Sequence, residues 1–159
     1  MQTYAYRAIG LRSHSVEEMR RKLAQRAAET EFVEQVLQKL IDSRLLDDRQ
    51  FAVEFARFRA KHRRYGRIRI SRDLRQRGVA DDLITDALDL ALPTVEDEAA
   101  LVRRRITKRV ESGRTVDAKM LRSLYSALLR AGFPSAIIRD ELFRRPEFSG
   151  LGRISGRSL

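Results

Sequence analysis

The apolar residues of the chain recur at helical spacing, and one pattern of them occurs three times. The three copies align on Leu23, Leu74 and Leu128. In each copy a small residue follows four positions later, two adjacent apolar residues follow nine and ten positions later, and a leucine follows at fourteen. This spacing predicts a helix closed by a small residue, a short turn, and a second helix with one apolar face.

A longer apolar-periodic segment precedes each helix pair, so we predict an all-α protein of three tandem three-helix repeats. The small residues that close the middle helices are Ala27, Gly78 and Gly132. Each repeat is too small to bury a core alone, and we expect stacking into an elongated, curved array. The predicted divisions are repeat 1 at 1–46, repeat 2 at 47–93, repeat 3 at 94–146 and a disordered tail at 147–159.

Capping signals agree with these helices. Ser15 with Glu18 and Asp47 with Gln50 predict capping boxes, and a looser one follows Pro93 at Thr94. Leu46 and Phe51 flank the second box as a hydrophobic staple.

Composition changes the picture at one place, a basic stretch in the second repeat. The chain of 159 residues has a net charge of +11. The segment 57–77 alone holds ten Lys or Arg residues and one Asp, for a local charge of +9. We name this segment the basic stretch; its cations are Arg57, Arg59, Lys61, Arg63, Arg64, Arg67, Arg69, Arg72, Arg75 and Arg77. Such a cluster favours a polyanion partner, with nucleic acid the leading candidate and an acidic protein groove the alternative.

The repeats provide an internal test of whether the fold requires this charge. Arg69, Arg72 and Arg75 share one face of their predicted helix. Their counterparts are Glu18, Arg21 and Ala24 in the first repeat and Ser123, Ser126 and Leu129 in the third. Because the same architecture accepts acidic and neutral residues there, we interpret the basic stretch as functional.

Aromatic residues give two further expectations. Tyr65 lies among the cations of the basic stretch and could stack on a nucleic-acid base or pack internally. Phe51, Phe55 and Phe58 fall at helical spacing, which favours the core over a stacking platform.

Enzymatic readings find little support. The chain has no Cys and only two histidines, His14 and His62, and it lacks phosphate-loop, dinucleotide and nucleophile-elbow motifs. Asp82, Asp86 and Asp89 could line one helix face as a magnesium nuclease would require, but a solvated acidic face is the preferred interpretation. We therefore expect a protein without catalytic residues, metal or cofactor. The absence of an apolar signal core or membrane-length run favours a cytoplasmic protein, and we expect a monomer.

Four segments resemble the RecX family of RecA regulators. They are "SHSVEEMRRKL" at 13–23, "LLDDRQFAVEFARFR" at 45–59, "GRIRISRDLRQRGV" at 66–79 and "DAKMLRSLYSALLRAGFPSAII" at 117–138. The resemblance spans residues 4–145. It implies a non-enzymatic, all-helical modulator that binds the groove of RecA filaments on single-stranded DNA. It further implies suppression of ATP hydrolysis, strand exchange and coprotease activity in recombination and the SOS response.

Under that resemblance the basic stretch would contact DNA phosphates or acidic RecA surface, and the sequence leaves these two open. Duplex DNA could also bind without sequence preference. The alternative hypothesis is a stand-alone helical DNA-binding protein, since short basic helices can imitate helix-turn-helix units. The most basic face is a dense arginine array without Asn or Gln, which favours phosphate contact over base reading.

Overall fold

The computed structural model describes residues 1–26, 30–111 and 116–148, and in these ranges the chain is helical without a strand. The all-α prediction is confirmed. The nine α-helices of the described part are α1 Gln2–Leu11, α2 Val16–Ala24, α3 Thr30–Asp42, α4 Asp48–Phe58, α5 Arg67–Arg75, α6 Asp81–Ala91, α7 Val95–Val110, α8 Ala118–Arg130 and α9 Ser135–Phe143. A π-helical turn, Arg59–Arg63, follows α4, and a 3-10 turn, Pro146–Phe148, follows α9.

The residues fall into two compact units. The first contains Met1–Phe58 and Ser71–Ala91, and the second contains Arg59–Ile70 and the chain from Leu92 onward. Helix α5 therefore contributes its first four residues to the second unit and the others to the first. The division into three repeats stays a prediction.

The first unit buries the apolar faces predicted from the periodicity. Helices α2 and α3 pack together with α1, around Met19, Leu23 and Leu37, each at most 1% exposed. Helix α4 packs along α6, and its Ala52 and Ala56 are fully buried. Small residues on α4 let the two helix backbones approach closely.

The second unit is organised around α7, which packs against α9 and, less extensively, against α8. Its largest fully buried side chains include Phe133, Ile106, Leu128 and Ile138. The chain between α8 and α9 thus places an aromatic ring in the core immediately after Gly132.

The helix caps are partly those predicted. Thr94 and Asp97 form a complete capping box, with each residue's side chain bound to the other's backbone N–H. The Ser15 hydroxyl accepts from the Glu18 N–H at 3.1 Å, but the Glu18 carboxylate binds Arg12 at 3.1 Å instead of completing the box. The guanidinium competes for this carboxylate because a charged pair is the stronger hydrogen bond.

Helices α2 and α5 each use a carboxylate from a distant helix at their first N–H group. In the first unit, Asp48 of α4 accepts from the Val16 N–H at 2.8 Å. In the second unit, Glu98 of α7 accepts from the Arg67 N–H at 2.9 Å. Burial raises the pKa of both carboxyl groups. Helix α8 is instead capped locally, by Asp117 on the Met120 N–H.

Four described residues have left-handed backbone conformations. Gly78 and Gly132, with φ of 76° and 86°, confirm the predicted helix-closing turns. Arg44 and Arg64, with φ of 53° and 52°, were not predicted and follow α3 and the π-helical turn. Ala27, the third predicted closing residue, lies outside the described residues.

The end of the third repeat differs from the prediction of a disordered tail starting at 147. Glu147 and Phe148 belong to the 3-10 turn, and the Phe148 ring is only 3% exposed. An apolar ring two residues after Pro146 can fold back onto the core. The prediction of a disordered tail relied on the Gly/Ser-rich composition further along the chain, which does not apply to this ring. The remainder of the predicted tail, 149–159, lies outside the described residues.

We expect Gly78→Val to lower the free energy of unfolding by about 1 kcal/mol or more, because a β-branched residue disfavours a left-handed backbone. A Cβ atom there would also lie 2.4 Å from the Glu17 Cβ, which side-chain rotation does not displace, so one of the two backbones must shift. Chemical denaturation measures the change. Gly78→Asn serves as the control, since Asn adds the same Cβ but tolerates the left-handed region. Equal stability of both variants would contradict the conformational explanation.

Candidate nucleic-acid interface

The basic stretch continues from the end of α4 through the π-helical turn and a short loop into α5. Its cations in the second unit run from Arg59 to Arg69, and those in the first unit are Arg57, Arg72, Arg75 and Arg77. The structure divides these side chains into internal anchors and exposed charges.

Arg105 of α7 anchors the loop of the basic stretch in the second unit. Its Nε donates to the Arg64 carbonyl at 2.8 Å and its Nη2 donates to the Arg63 carbonyl at 2.7 Å. The guanidinium is half-buried, and this burial lowers its pKa. An arginine has its donors in a planar fork, so one side chain can hold two successive carbonyls.

Tyr65 packs against an arginine of its own segment. The Arg69 guanidinium lies 4.3 Å from the centre of the Tyr65 ring, a cation–π contact, and its Nη1 donates to the Arg130 carbonyl at 3.0 Å. The backbone continues the attachment, since the Gly66 N–H donates to the Ala131 carbonyl at 2.9 Å. Arg69 and Gly66 thus join the start of α5 to the end of α8. Base stacking by Tyr65 stays a prediction.

Arg67 is also an anchor. Its backbone N–H is bound by Glu98, and its Nη1 donates to the Leu92 carbonyl at 2.8 Å. Glu98 is only 4% exposed, and desolvation raises its pKa despite the favourable N–H contact. The sequence gives no local sign of this cap, because Tyr65 and Gly66 precede the helix without a capping oxygen.

Glu98 predicts a pH dependence of stability. The folded state holds the Glu98 proton more tightly than the unfolded state, whose pKa is close to the ordinary 4.5. At pH values between 4.5 and the raised pKa of the folded state, the folded chain binds more protons than the unfolded chain. The free energy of unfolding therefore falls as pH rises through this range. Gln at this position keeps the acceptor oxygen and does not titrate. We expect the stability of Glu98→Gln relative to wild type to increase from pH 4.5 upward and then level off.

Denaturation at several pH values between 4 and 8 measures this difference. Glu31→Gln is the control, because Glu31 is exposed on α3. A wild-type–variant difference that does not change with pH would contradict the assignment to Glu98.

In the first unit, Arg77 is an anchor and Arg75 is paired. The Arg77 guanidinium lies 4.7 Å from the centre of the Phe55 ring and 3.4 Å from Glu18, and its carbonyl accepts from the Ser15 hydroxyl at 2.6 Å. Arg75 Nε contacts Asp81 at 2.6 Å with both side chains exposed. Such an exposed pair is worth little and can open toward another anion.

The exposed cations of the basic stretch are Arg57 and Arg72 in the first unit and Lys61 and Arg63 in the second. Within the described residues, these four side chains form no hydrogen bond or ion pair. Arg59 and Arg64 are half-buried. The exposed four can neutralise phosphates without breaking an internal contact, which makes them the strongest candidates of the ten.

Sequence reasoning missed a second group of cations, on α7. Arg103, Arg104 and Lys108 line an open pocket of about 490 Å³ in the second unit, together with Arg64 and Arg145. The segment 103–109 holds five Lys or Arg residues, a density that composition could have shown. Four acids at 96–98 and 111 balance this charge along the helix, so the net charge of the region does not reveal it.

The exposure of the three phenylalanines of α4 increases along the helix, which their spacing did not predict. Phe51 is 6% exposed and belongs to the core, whereas Phe55 is half-buried. Phe58 is 52% exposed, so the core assignment was wrong for it. Phe58 is the last residue of α4, and the regular helical face on which the assignment relied ends there because a π-helical turn follows.

The residues weighed for metal chemistry have structural contacts. Asp86 pairs with Arg49 at 2.8 Å in the first unit, and Asp82 is exposed in the first turn of α6. His14 is 4% exposed and its Nδ1 lies 2.8 Å from the Arg12 carbonyl; burial lowers its pKa. In the described ranges, no three histidine or acidic side chains are grouped as a metal site requires.

None of the described helices combines the length and the apolar character that a membrane crossing demands.

The comparisons of this chain with known proteins point to one family. Residues 47–88 match the model described as RecX, second three-helix domain. The regulatory protein RecX of Pelodictyon phaeoclathratiforme is 36% identical over 141 residues, which cover 88% of this chain and 85% of that protein. The regulatory protein RecX of Halorhodospira halophila is 36% identical over 135 residues, covering 85% and 81%.

Solved structures agree with the sequence relatives. A crystal structure of regulatory protein RecX matches with a TM-score of 0.71 at 26% identity, over 87% of this chain and 71% of that one. The structure of RecX from Lactobacillus salivarius matches with a TM-score of 0.72 at 20% identity, over 90% and 92%. The second likeness is evidence for the fold alone.

Proposed function

The chain belongs to the RecX family of regulatory proteins, and from this premise we propose that it inhibits the RecA recombinase. It binds, as a monomer in the cytoplasm, in the groove of the RecA filament on single-stranded DNA. Through this binding it suppresses ATP hydrolysis, strand exchange and coprotease activity in recombination and the SOS response. Inhibition proceeds without catalysis, metal or cofactor.

The similarity over more than four-fifths of two RecX proteins is the observation that carries this proposal. The exposed cations of the basic stretch support it. Arg57 and Arg72 in one unit, and Lys61 and Arg63 in the other, are available to an anionic partner. The third repeat has Ser126 at the position of Arg72, so the architecture does not require this exposed charge, and a partner is the simpler explanation.

Phosphate contact supplies affinity without sequence preference, because each neutralised phosphate releases condensed counterions. A regulator of a filament that forms on any single strand needs affinity of this kind. The anchors Arg67, Arg69 and Arg77 hold the segment in shape, and the exposed cations contact DNA phosphate or acidic RecA surface.

The test is single-stranded-DNA-dependent ATP hydrolysis by the cognate RecA, titrated with this protein in the presence and absence of excess DNA. We expect inhibition at substoichiometric protein that persists with added DNA, since the filament itself is the target. Inhibition abolished by added DNA would mean that the protein only sequesters nucleic acid. That result would favour a stand-alone DNA-binding protein acting through phosphate contacts.

A further inference from the structure

Arg64 has a left-handed backbone conformation that its residue type disfavours. It terminates the π-helical turn with φ of 52°, and the Tyr65 N–H donates back to the Arg59 carbonyl at 3.2 Å. Glycine is the residue that favours such a helix-closing position, as Gly78 and Gly132 show in this chain. An arginine there is strained, and residues held in such conformations concentrate at functional sites.

The Arg64 side chain lines the basic pocket on α7. Five cations and one carboxylate surround this pocket of about 490 Å³, and it is lined by Arg64, Ala100, Arg103, Arg104, Thr107, Lys108, Glu111 and Arg145. Arg103 is bound to the buried carboxylate of Glu141 at 3.0 Å, and Arg145 donates to the Thr107 hydroxyl. Arg104 and Lys108 are exposed, without a side-chain partner in the described ranges.

The repeats again show that the charges of Arg103 and Arg104 are not an architectural need. Ile106 corresponds to Phe55 at an interval of 51 residues. At the same interval, Arg103 and Arg104 correspond to Ala52 and Val53 in the second repeat. The long helix therefore folds with apolar residues at these positions.

Arg105 fixes the strained residue in place. Its bonds to the Arg63 and Arg64 carbonyls hold the backbone on both sides of the left-handed position, so the direction of the Arg64 Cα–Cβ bond is set before any ligand arrives. Preorganised cations lose less conformational entropy on binding an anion. Arg105 is in this sense a positioning residue.

We propose that this pocket is a phosphate-binding site, in which Arg64, Arg104 and Lys108 bind one phosphodiester group of a single strand. Arg103 and Arg145 form its walls while they keep their internal contacts. The inference rests on the proposed affinity for single-stranded DNA and adds a site on the third repeat, outside the basic stretch except for Arg64.

The chain contains a matched pair of variants for the test. Arg64→Gly and Arg44→Gly both remove one positive charge and both relieve a left-handed arginine, but Arg44 belongs to the first unit. We expect both to raise the thermal midpoint by about 2 to 4 °C, because glycine accepts this conformation. Only Arg64→Gly should weaken binding of a fluorescent fifteen-nucleotide dT strand, by about fivefold, with a salt slope smaller by about 0.7.

Equal affinity of Arg64→Gly and Arg44→Gly for the strand would overturn the site while leaving the proposed function intact. Failure of the wild-type protein to bind the strand would contradict the DNA affinity on which both rest. A lower midpoint of Arg64→Gly would also overturn the inference, since Arg64 would then be a structural residue. Lys108→Gln, compared with Arg122→Gln on the exposed surface of α8, tests the pocket without touching a strained backbone.

Competition with inorganic pyrophosphate at constant ionic strength distinguishes the source of the phosphate. We expect pyrophosphate to displace the strand only weakly, since neighbouring phosphates of a polymer contribute additional contacts. The opposite result is that micromolar pyrophosphate displaces the strand from wild type but not from Arg64→Gly. That result would overturn the assignment to a strand and would mean that the pocket binds free phosphate compounds.

Discussion

Replacement of Gly132 by valine is expected to lower the free energy of unfolding by about 3 kcal/mol, the combined effect of backbone strain and overpacking. Gly132 has φ of 86°, and a Cβ atom there would lie 2.3 Å from the Arg69 backbone nitrogen. The clash is with backbone, so no side-chain rotation relieves it. The Gly132 carbonyl also accepts from the Ile68 N–H at 3.2 Å, so displacement would loosen the start of α5.

Urea denaturation of Gly132→Val measures this change, and Gly10→Val is the matched control. Gly10 lies in α1 with open space around its missing Cβ, so valine there should change stability by less than about 0.5 kcal/mol. The effect at Gly132 should also exceed that at Gly78, where the obstructing atoms are the Glu17 Cβ and Cγ and none belongs to the backbone. A Gly132 variant no less stable than the Gly78 variant would contradict the close approach of α5.

The pair Lys61→Gln and Arg63→Gln is expected to raise the concentration needed for half-inhibition of RecA ATP hydrolysis by about tenfold, if each lost phosphate contact weakens binding several-fold. Both side chains are exposed in the second unit and serve no internal contact of the described residues. Helicity and thermal midpoint should therefore stay at wild-type values. With single-stranded DNA alone, the slope of log affinity against log salt should decrease by about 1.4.

Arg7→Gln with Lys39→Gln is the matched control, since it removes the same charge from exposed positions of the first repeat. If only the net charge mattered, both pairs of substitutions would weaken the inhibition of RecA equally. That result would contradict a local role for the basic stretch. Reduced inhibition of RecA by the Lys61 and Arg63 pair, with an unchanged salt slope on DNA, would assign these residues to acidic RecA surface instead. Arg69 is a poorer test residue, because its loss also removes the contacts with Tyr65 and Arg130.

The caps illustrate how far local sequence reasoning reaches. The box of Thr94 and Asp97 could be predicted because both partners lie within four residues of each other. The carboxylates of Asp48 and Glu98 could not, since each binds an N–H more than thirty residues away in the chain. Only the packed helices bring these groups together.

The sequence by itself determined the helical class, the repeat that relates Leu23, Leu74 and Leu128, the turns at Gly78 and Gly132, and the location of the charge. These properties depend on local spacing and on backbone preferences that each residue carries with it. The tertiary structure decided which cations are anchors and which are exposed, and it placed Arg64 beside the cations of α7. Arginines adjacent in sequence have the same charge and the same reach, so their separate roles depend on which carbonyls, rings and carboxylates the fold places within a few ångströms.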